Sequence, residues 1–432
     1  MSSRKPGPER SSGILDPSLV LKLTLAPGVI RTWFGLAGLT GHTQLTDKPL
    51  LDALEHGATL DELLEVGTPR AGRDVRGVLD ALHARQLLAW QVRGAEGTVW
   101  ATLTPLRANV PLPVPAQIGG DVRLSRFALM RDTGGTWLLE SGRSPLTATL
   151  TPGAAAAVVA GEAPPALHAM LQMGQLLDDS DDEGSSRYWE FHDRYFASRS
   201  RFDSADKGGT FRFADVHDPE PFDARPPHQD RTVPLPVPDP AEPGPGLWEV
   251  IEKRRSHPDL GEESIELRDL GAILWHTLRV VDSQPRDSAS AMSYDSVRRP
   301  VPSGGGTHSI GLWLAIRDVV GIESGMWWYD PGEHTLLRTC DYPKQPIVGD
   351  YPVYGLLISR HARLAWKYEG IAHALALKDA GVILHAVQLG ATALGLAMCP
   401  IGSGPTAAVL EALGLDADEY VPVGEFWLAR PR

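Results

Sequence analysis

The sequence has little cysteine, no excess of basic charge and no apolar segment at its N-terminus. Only two of its 432 residues are cysteines, Cys340 and Cys399, so at most one disulfide can form and a disulfide-stapled scaffold is excluded. The 41 Lys and Arg against 54 Asp and Glu give a net charge of −13, which argues against partners such as nucleic acid or an anionic membrane. Residues 1–17 lack the apolar core of a signal peptide and are predicted to form a disordered tail. We therefore expect a cytoplasmic protein.

Several chemistry-bearing motifs are also missing. There is no CxxC or HExxH zinc spacing, no Walker loop, no GxSxG nucleophile elbow, and no GxGxxG between a strand and a helix. The acidic run Asp178 to Glu183 lacks the glycine turn and the spaced Glu of a calcium loop, so it is predicted to be a solvated loop. These absences leave hydrolytic chemistry with little support, and no metal site is expected.

One long apolar stretch is present, from Ala380 to Met398. His385, Gln388 and three glycines interrupt it, and Lys378 and Asp379 directly precede it. Polar residues at these positions favour a buried helix over a membrane span.

Proline divides the chain. Ten prolines fall between Pro219 and Pro245, and each lacks a backbone N–H and has a fixed φ. Residues 206–245 are therefore predicted to be an extended, semi-rigid linker. It separates an N-terminal part from a C-terminal part, residues 246–432.

The N-terminal part contains a degenerate repeat of short strands and small helices. The predicted units are residues 18–110 and 120–205, each suggesting a winged-helix-like fold, with an irregular α+β domain as the alternative. Thr59 is a predicted helix N-cap, because Glu62 follows three residues later.

The C-terminal part has the order helix, strands, helices, strand, which fits a three-layer α+β fold. The predicted elements include a helix over 267–278, a strand over 310–316, a hairpin turning at residues 330–332, helices over 370–377 and 380–394, and a closing strand over 420–428.

Two segments of this part could hold a ligand. Arg254, Arg255 and Ser256 place two guanidinium groups and a hydroxyl at a helix end, which suits a phosphate, although such arginine pairs are often simply solvated. The run Pro302 to Gly306 (PSGGG) would let backbone approach a ligand closely, although a glycine run is often a plain loop.

The C-terminal segments together are more specific. The ordered series RRS, LWHTLRV, VRRPVPSGGG, GMWWYDPGEHTLLR, WKYEGIAHALALKDAG, LGATALGLAMCPIG and VPVGEFW resembles the nitroreductase-like flavoproteins. Within them it looks like the SagB-type dehydrogenases, which are FMN-dependent azoline oxidases. The resemblance spans about residues 247–424 and extends upstream to residues 188–201 and 208–213. The N-terminal repeat is similar to the peptide-clamp domains of some of these oxidases.

The resemblance implies oxidation of thiazoline or oxazoline rings in peptides, after a cyclodehydratase partner has formed the rings. It implies FMN as the cofactor, a homodimer, and an azoline-containing peptide substrate. The implied roles by residue are FMN phosphate binding at Arg254, Arg255 and Ser256, contact with the isoalloxazine ring at Pro302, Ser303, Gly304 and Gly305, a late flavin loop at Ile401, Gly402 and Ser403, and catalysis at Lys367 and Tyr368.

Tyr368 is the candidate base and Lys367 its electrostatic partner, with the reverse assignment open. An adjacent ammonium favours a phenolate, and neighbouring residues can converge only at a helix start or in a loop, because they point about 100° apart on a helix. The alternative is a Lys packed along a structural Tyr.

The sequence departs from the family pattern at two places. Many relatives carry a run like Leu-Tyr-Pro-Leu-Glu after the glycine loop, whereas Thr307 to Gly311 stand here without the Glu, and His308 could help line the site. Residues 424–427 (GEFW) replace a more usual Gly-x-Pro.

Two other functions remain open. One is an NAD(P)H-dependent reductase of nitro or quinone compounds on the same fold, and the other is a non-catalytic peptide-binding scaffold subunit.

Overall fold

The computed structural model describes residues 19–32, 35–38, 41–45, 47–66, 74–114, 123–178, 183–201, 210–226, 228–241, 244–256, 260–342, 351–404 and 406–432. The predicted tail, residues 1–17, lies outside these ranges, as does most of the acidic run at 178–183. The chain divides into two units, Met1–Ala205 and Asp206–Arg432.

The N-terminal unit consists of short strands and small helices. The strands are β1 (Val20–Leu25), β2 (Ile30–Thr32), β3 (Gly35–Gly38), β4 (Gly41–Gln44), β5 (Leu88–Arg93), β6 (Val99–Pro105), β7 (Arg123–Leu124), β8 (Ala128–Asp132), β9 (Trp137–Ser141), β10 (Leu146–Leu150) and β11 (Leu177–Asp178). The helices are α1 (Lys48–His56), α2 (Leu60–Val66), α3 (Val75–Ala84), α4 (Pro152–Ala160), α5 (Pro165–Met173) and α6 (Phe191–Arg199).

Local sequence signals account for several of these elements. The Thr59 amide donates to the Glu62 carboxylate at 2.7 Å, and the Glu62 amide donates back to the Thr59 hydroxyl at 3.3 Å, which forms the predicted capping box. Strand β6 alternates buried and half-buried residues, as a strand with one covered face does.

The two predicted N-terminal units share one sheet. Its strand order is β1-β5-β6-β10-β9-β8, and β6 of the first predicted unit pairs with β10 of the second. One apolar core runs under both, including Leu54 and Trp90 from the first and Leu139 and Leu171 from the second. The two predicted units therefore share one sheet and one apolar core.

The C-terminal unit is built around a larger sheet. Its strands are β12 (Arg231–Pro234), β13 (Ile265–Glu266), β14 (Asp282–Gln284), β15 (Ser296–Arg298), β16 (Ile310–Ile316), β17 (Val319–Val320), β18 (Gly325–Asp330), β19 (Thr335–Cys340), β20 (Val353–Arg360), β21 (Ala397–Ile401) and β22 (Tyr420–Ala429). Its helices are α7 (Leu247–Lys253), α8 (Leu267–Leu278), α9 (His361–Ala365), α10 (Ala372–Ala393) and α11 (Thr406–Leu413).

The main sheet has seven strands in the order β12-β19-β18-β16-β20-β22-β21, and both of its faces are covered. On one face, Leu312 and Leu314 of β16 share an apolar core with residues of α8 and α10. On the other face, Trp313 and Ala315 share a second core with α11. Burial of both faces explains why these strands read as continuous apolar runs, and it confirms the three-layer α+β prediction.

The proline-rich segment differs from its prediction. Residues 231–234 form β12, which pairs with β19 at the edge of the main sheet, where proline is tolerated. The guanidinium of Arg360 donates to the carbonyls of Pro221 and Phe222, both at 2.8 Å. The described part of the predicted linker is thus packed on the C-terminal unit.

Helix α10 also differs from its prediction. It is one continuous helix of 22 residues, whereas two helices were expected on either side of Lys378 and Asp379. It is long and apolar enough to span a membrane, but Ile383 and Val387 pack into the core beneath the main sheet. We therefore describe it as the core helix that the sequence predicts.

Candidate active site

The segment Arg254 to Ser256 follows the end of α7 and is held by a glutamine of α10. The Arg254 guanidinium donates to the Gln388 side-chain oxygen at 3.2 Å, and the Gln388 amide donates to the Ser256 hydroxyl at 3.3 Å. Gln388 is 5% exposed, so its position is fixed by packing. Among the described residues, the exposed Arg255 guanidinium has no hydrogen-bond or ion-pair partner. A charged donor is therefore available to a ligand.

The glycine loop at residues 302–306 is tied to α10 by Asp379. The Asp379 carboxylate accepts from the Ser303 hydroxyl at 2.7 Å and from the Gly304 amide at 3.0 Å. Burial raises the pKa of this carboxyl, against the opposing effect of the bond from Ser303. Gly305 has a φ of +63°, a region that favours glycine.

Lys367 and Tyr368 lie in the connection between α9 and α10 and approach the same glycine. A Cβ built on Gly305 would lie 2.6 Å from the Tyr368 hydroxyl and 2.7 Å from the Lys367 ammonium. The absent side chain at Gly305 thus allows both groups to reach the loop. The ammonium also lies 5.2 Å from the centre of the Tyr368 ring.

Tyr294 is a site residue that the sequence analysis missed. The Lys367 ammonium donates to the Tyr294 hydroxyl at 2.5 Å, and that hydroxyl donates to the Gly305 carbonyl at 2.6 Å. The hydrogen-bond partner of Lys367 is therefore Tyr294 and not the neighbouring Tyr368. The one available signal was an aromatic residue eleven positions before Gly305, which is too common a pattern to single out.

The late loop, residues 401–403, makes different contacts from the segments described above. Ile401 ends β21 and pairs with Glu425 of β22, and Gly402 and Ser403 follow. In the described ranges, no hydrogen bond links these three residues to the glycine loop or to Lys367. The structure therefore brings the glycine loop together with Lys367 and Tyr368, and it ties the segment Arg254 to Ser256 separately to α10. In the described ranges the late loop has no hydrogen bond to either group.

His308, the second residue after the glycine loop, is buried and has a φ of +45°. Burial, together with the charge of Arg299, lowers its pKa to about 3, so its imidazole is neutral at physiological pH. It lines a cavity of this unit, but it cannot serve as a cationic ligand group at neutral pH. Within the described residues, no group of three or more His, Cys, Asp or Glu is arranged to hold a metal ion.

Two segments held by α10 supply the donor types that a phosphate and a flat ring need. Their anchoring residues, Asp379 and Gln388, are nine positions apart, which is about 13 Å along α10 and about half a turn around it, so the two segments contact different sides of the helix. Arg255 supplies an unpaired cation in one segment, and Gly305 of the glycine loop is exposed in the other. FMN has a phosphate and a flat ring, so the chemistry of the residues present fits it.

Comparisons with known proteins agree on one region. Residues 251–428 match the sequence profile of the Nitroreductase family. A protein of Methanocaldococcus jannaschii, named as a candidate nitroreductase, is 27% identical over 192 residues, which are 41% of this chain and 90% of that protein. Members of the family typically use FMN, the cofactor expected from the sequence.

Two solved structures are similar to parts of the chain. A candidate nitroreductase of Ralstonia eutropha JMP134 covers 50% of this chain and 99% of its own, with 22% identity and a TM-score of 0.38. A chain of the E. coli microcin synthetase McbBCD complex, with truncated pro-MccB17 bound, covers 55% of this chain and 91% of its own, with 15% identity and a TM-score of 0.35.

The sequence match and the three-layer sheet coincide in the same part of the molecule. Residues 251–428 thus match the Nitroreductase family profile and have a nitroreductase-like fold of mixed helices and strands.

Proposed function

We propose that the protein is a cytoplasmic FMN-dependent azoline oxidase, which converts thiazoline or oxazoline rings of a peptide to thiazoles or oxazoles. The observation that carries this proposal is the convergence of Lys367, Tyr368 and Tyr294 on Gly305 of the glycine loop. Aromatising an azoline removes a proton and a hydride, so a proton acceptor beside a flavin site is the arrangement that the reaction needs.

The residues around α10 would hold the cofactor. Arg254, Arg255 and Ser256 would bind the phosphate through charge-assisted hydrogen bonds. Pro302, Ser303, Gly304 and Gly305 would lie against the ring, and Ile401, Gly402 and Ser403 would line the site at a greater distance. When bound, FMN supplies the acceptor for the hydride.

Tyr368 is the better placed of the two candidate bases. In the described residues its hydroxyl makes no hydrogen bond, whereas the Lys367 ammonium is already bonded to Tyr294. Tyr368 would accept the ring proton at its oxygen, and Lys367 would place a positive charge beside it. Tyr294 would keep Lys367 over the loop by bonding both to its ammonium and to the Gly305 carbonyl.

A homodimer would form through an apolar face of the C-terminal unit. Leu247 and Trp248 of α7 are 61% and 77% exposed, and Leu377 and Val382 of the adjoining α10 are also exposed. Exposed apolar side chains on two packed helices are typical of an interface between subunits.

The N-terminal unit would bind the peptide. Its sheet ends at β8, which pairs on one side with β9 and has no strand on its other side among the described residues. An extended peptide could add to this edge through main-chain hydrogen bonds. A cyclodehydratase that makes the azoline ring would then act on the same peptide first.

The second candidate is an NAD(P)H-dependent reductase of nitro or quinone compounds, which the Nitroreductase profile and the M. jannaschii relative favour. Both activities use the same fold, so the substrate test must separate them.

The test is to incubate the FMN-loaded protein with a synthetic azoline peptide and oxygen and to measure peptide mass. We expect a loss of two hydrogens. The variants Tyr368→Phe and Lys367→Ala should keep FMN but lose at least about 10²-fold in rate, the usual scale for loss of acid–base catalysis. Tyr294→Phe should lose less, because Lys367 stays charged. No mass loss, together with rapid flavin bleaching by NADPH, would favour the reductase.

A further inference from the structure

A cavity of about 50 Å³ lies in the C-terminal unit, beyond the residues assigned above to FMN and to proton removal. Its lining includes Arg299, Gly311, Trp313 and Arg360. A single water needs only about 10–15 Å³ on this measure, so the cavity has room for a small molecule.

Arg299 is the unusual member of this lining. Its Nε is fully buried and has no hydrogen-bond partner, and no other hydrogen bond of its guanidinium is found in the described residues. The group contacts the ring of Phe222, whose centre is 4.8 Å from the guanidinium carbon. Burial lowers the pKa of Arg299 to about 9, so it still carries its charge at neutral pH. Arg299 is half-buried, and a buried donor of a charged group is normally paired, so the Nε of Arg299 lacks a partner.

The neighbouring charges do not supply that partner. Arg363 adds a positive charge, although Asp295 pairs with it at 2.9 Å. Two acids, Asp223 and Asp330, line the cavity, and Asp330 is paired with Arg225 at 2.8 Å. The charge of Asp330 favours the charged form of Arg299, but neither carboxylate forms a hydrogen bond or an ion pair with Arg299 among the described residues.

Arg360 is a second cation of the lining, and its closest carboxylate is Glu220 at 3.6 Å. His308 is neutral for the reason given above. The indole Nε1 of Trp313 is likewise buried without an acceptor. The unpaired groups of Arg299 and Trp313 are both donors, so the missing partner is an acceptor with negative charge.

Gly311 makes room for the Trp313 indole in the wall of the cavity. A Cβ at Gly311 would lie 2.7 Å from the Trp313 ring, so a larger residue would displace the indole. The described residues thus combine a half-buried cation, whose Nε is fully buried and unpaired, with a cavity beside it.

We propose that this cavity binds a carboxylate, as a small free anion or as the carboxylate end of a peptide, with the Arg299 guanidinium as its main partner. A carboxylate matches the planar fork of a guanidinium and accepts the donors that the cavity leaves unused. This site does not depend on the azoline oxidase assignment.

The wild-type, FMN-loaded protein tests the proposal first. Its Tm is measured at pH 7 while sodium acetate replaces sodium gluconate at constant ionic strength, because gluconate is too bulky for the cavity. Flavin absorbance is followed to exclude loss of FMN. We expect a saturable rise of about 2–4 °C in acetate. A flat response would overturn the proposal.

Variants then locate the effect. Arg299→Met should abolish the acetate response. In gluconate it should be at least as stable as the wild type, because it removes an unpaired, half-buried charge. Arg298→Met, an exposed neighbour, should behave as the wild type. An equal acetate response in Arg299→Met would place the anion elsewhere and refute the site. N-acetylglycine and its amide distinguish a peptide carboxylate from a free anion. Stabilisation by N-acetylglycine but not by its amide indicates the carboxylate end of a peptide. Stabilisation by acetate but not by N-acetylglycine indicates a small free anion.

Discussion

Replacing Asp379 by alanine should release the glycine loop from α10. Asp379 is 8% exposed, and its carboxylate accepts from the Ser303 hydroxyl at 2.7 Å and from the Gly304 amide at 3.0 Å. Alanine removes both acceptors at once. The Gly304 amide then has no partner in the protein unless the loop moves toward water.

The expected size of the effect follows from these two bonds. A hydrogen bond to a charged group contributes about 1.5–3 kcal/mol. Relief from burying the carboxylate, which raises the pKa of Asp379, offsets part of the loss. We expect the ordered loop to be destabilised by about 2–3 kcal/mol, which is 30- to 150-fold in the equilibrium between ordered and released loop. If FMN binds only the ordered loop, its Kd weakens by up to about the same factor.

Two measurements check this prediction. Titration of the apoprotein with FMN, followed by flavin fluorescence, gives the change in Kd, and hydrogen exchange reports the Gly304 amide directly. Lys378→Ala is the matched control, because Lys378 is the exposed neighbour on the same helix. Asp379→Asn keeps one acceptor oxygen and should fall between the two. An FMN Kd within twofold of the wild type for Asp379→Ala, with unchanged exchange at Gly304, would refute the tether.

Four further results are expected. Arg255→Ala should weaken FMN binding at least tenfold, because it removes an unpaired cation from the proposed phosphate site. The control Arg268→Ala, at an exposed position of α8, should leave FMN binding unchanged. Bound FAD, or equal FMN retention in Arg255→Ala, would contradict the assignment of Arg255 to the FMN phosphate. Glu425→Gln should raise stability at pH 7, because burial raises the pKa of Glu425. The folded state holds this proton more tightly than the unfolded state, so the wild type loses stability as the pH rises from the unfolded pKa to the folded pKa. Urea unfolding should therefore show that the difference in stability between variant and wild type vanishes in acid. Trp248→Glu should convert the proposed dimer to a monomer, as measured by light scattering. A monomer mass for the wild type with FMN bound would exclude the dimer. Removing residues 18–205 should raise the KM for a long azoline peptide severalfold and leave a short one little changed; equal losses would count against peptide binding by the N-terminal unit.

Local pattern alone predicted many elements of both units. The helix over Leu267–Leu278 and the strand over Ile310–Ile316 have the predicted ends, and the Thr59 capping box forms as expected. These features depend on residues within a few positions of one another, such as periodic apolar side chains and end caps. The resemblance to a flavoprotein family likewise lay in short motifs, and the Nitroreductase profile confirms its coarser part.

Only the tertiary structure decided which side chains the candidate site segments contact. In the sequence, Gln388 interrupts an apolar run and Asp379 precedes it. In the fold, Gln388 holds the segment Arg254 to Ser256, and Asp379 holds the glycine loop. Tyr294 carries no signal of its own, yet it bonds Lys367 from 73 positions away. Part of the proline-rich segment forms the edge strand β12 of the main sheet, because it pairs with β19. A polar side chain is fixed by whichever donor or acceptor the fold brings beside it, and a linear pattern does not contain that information.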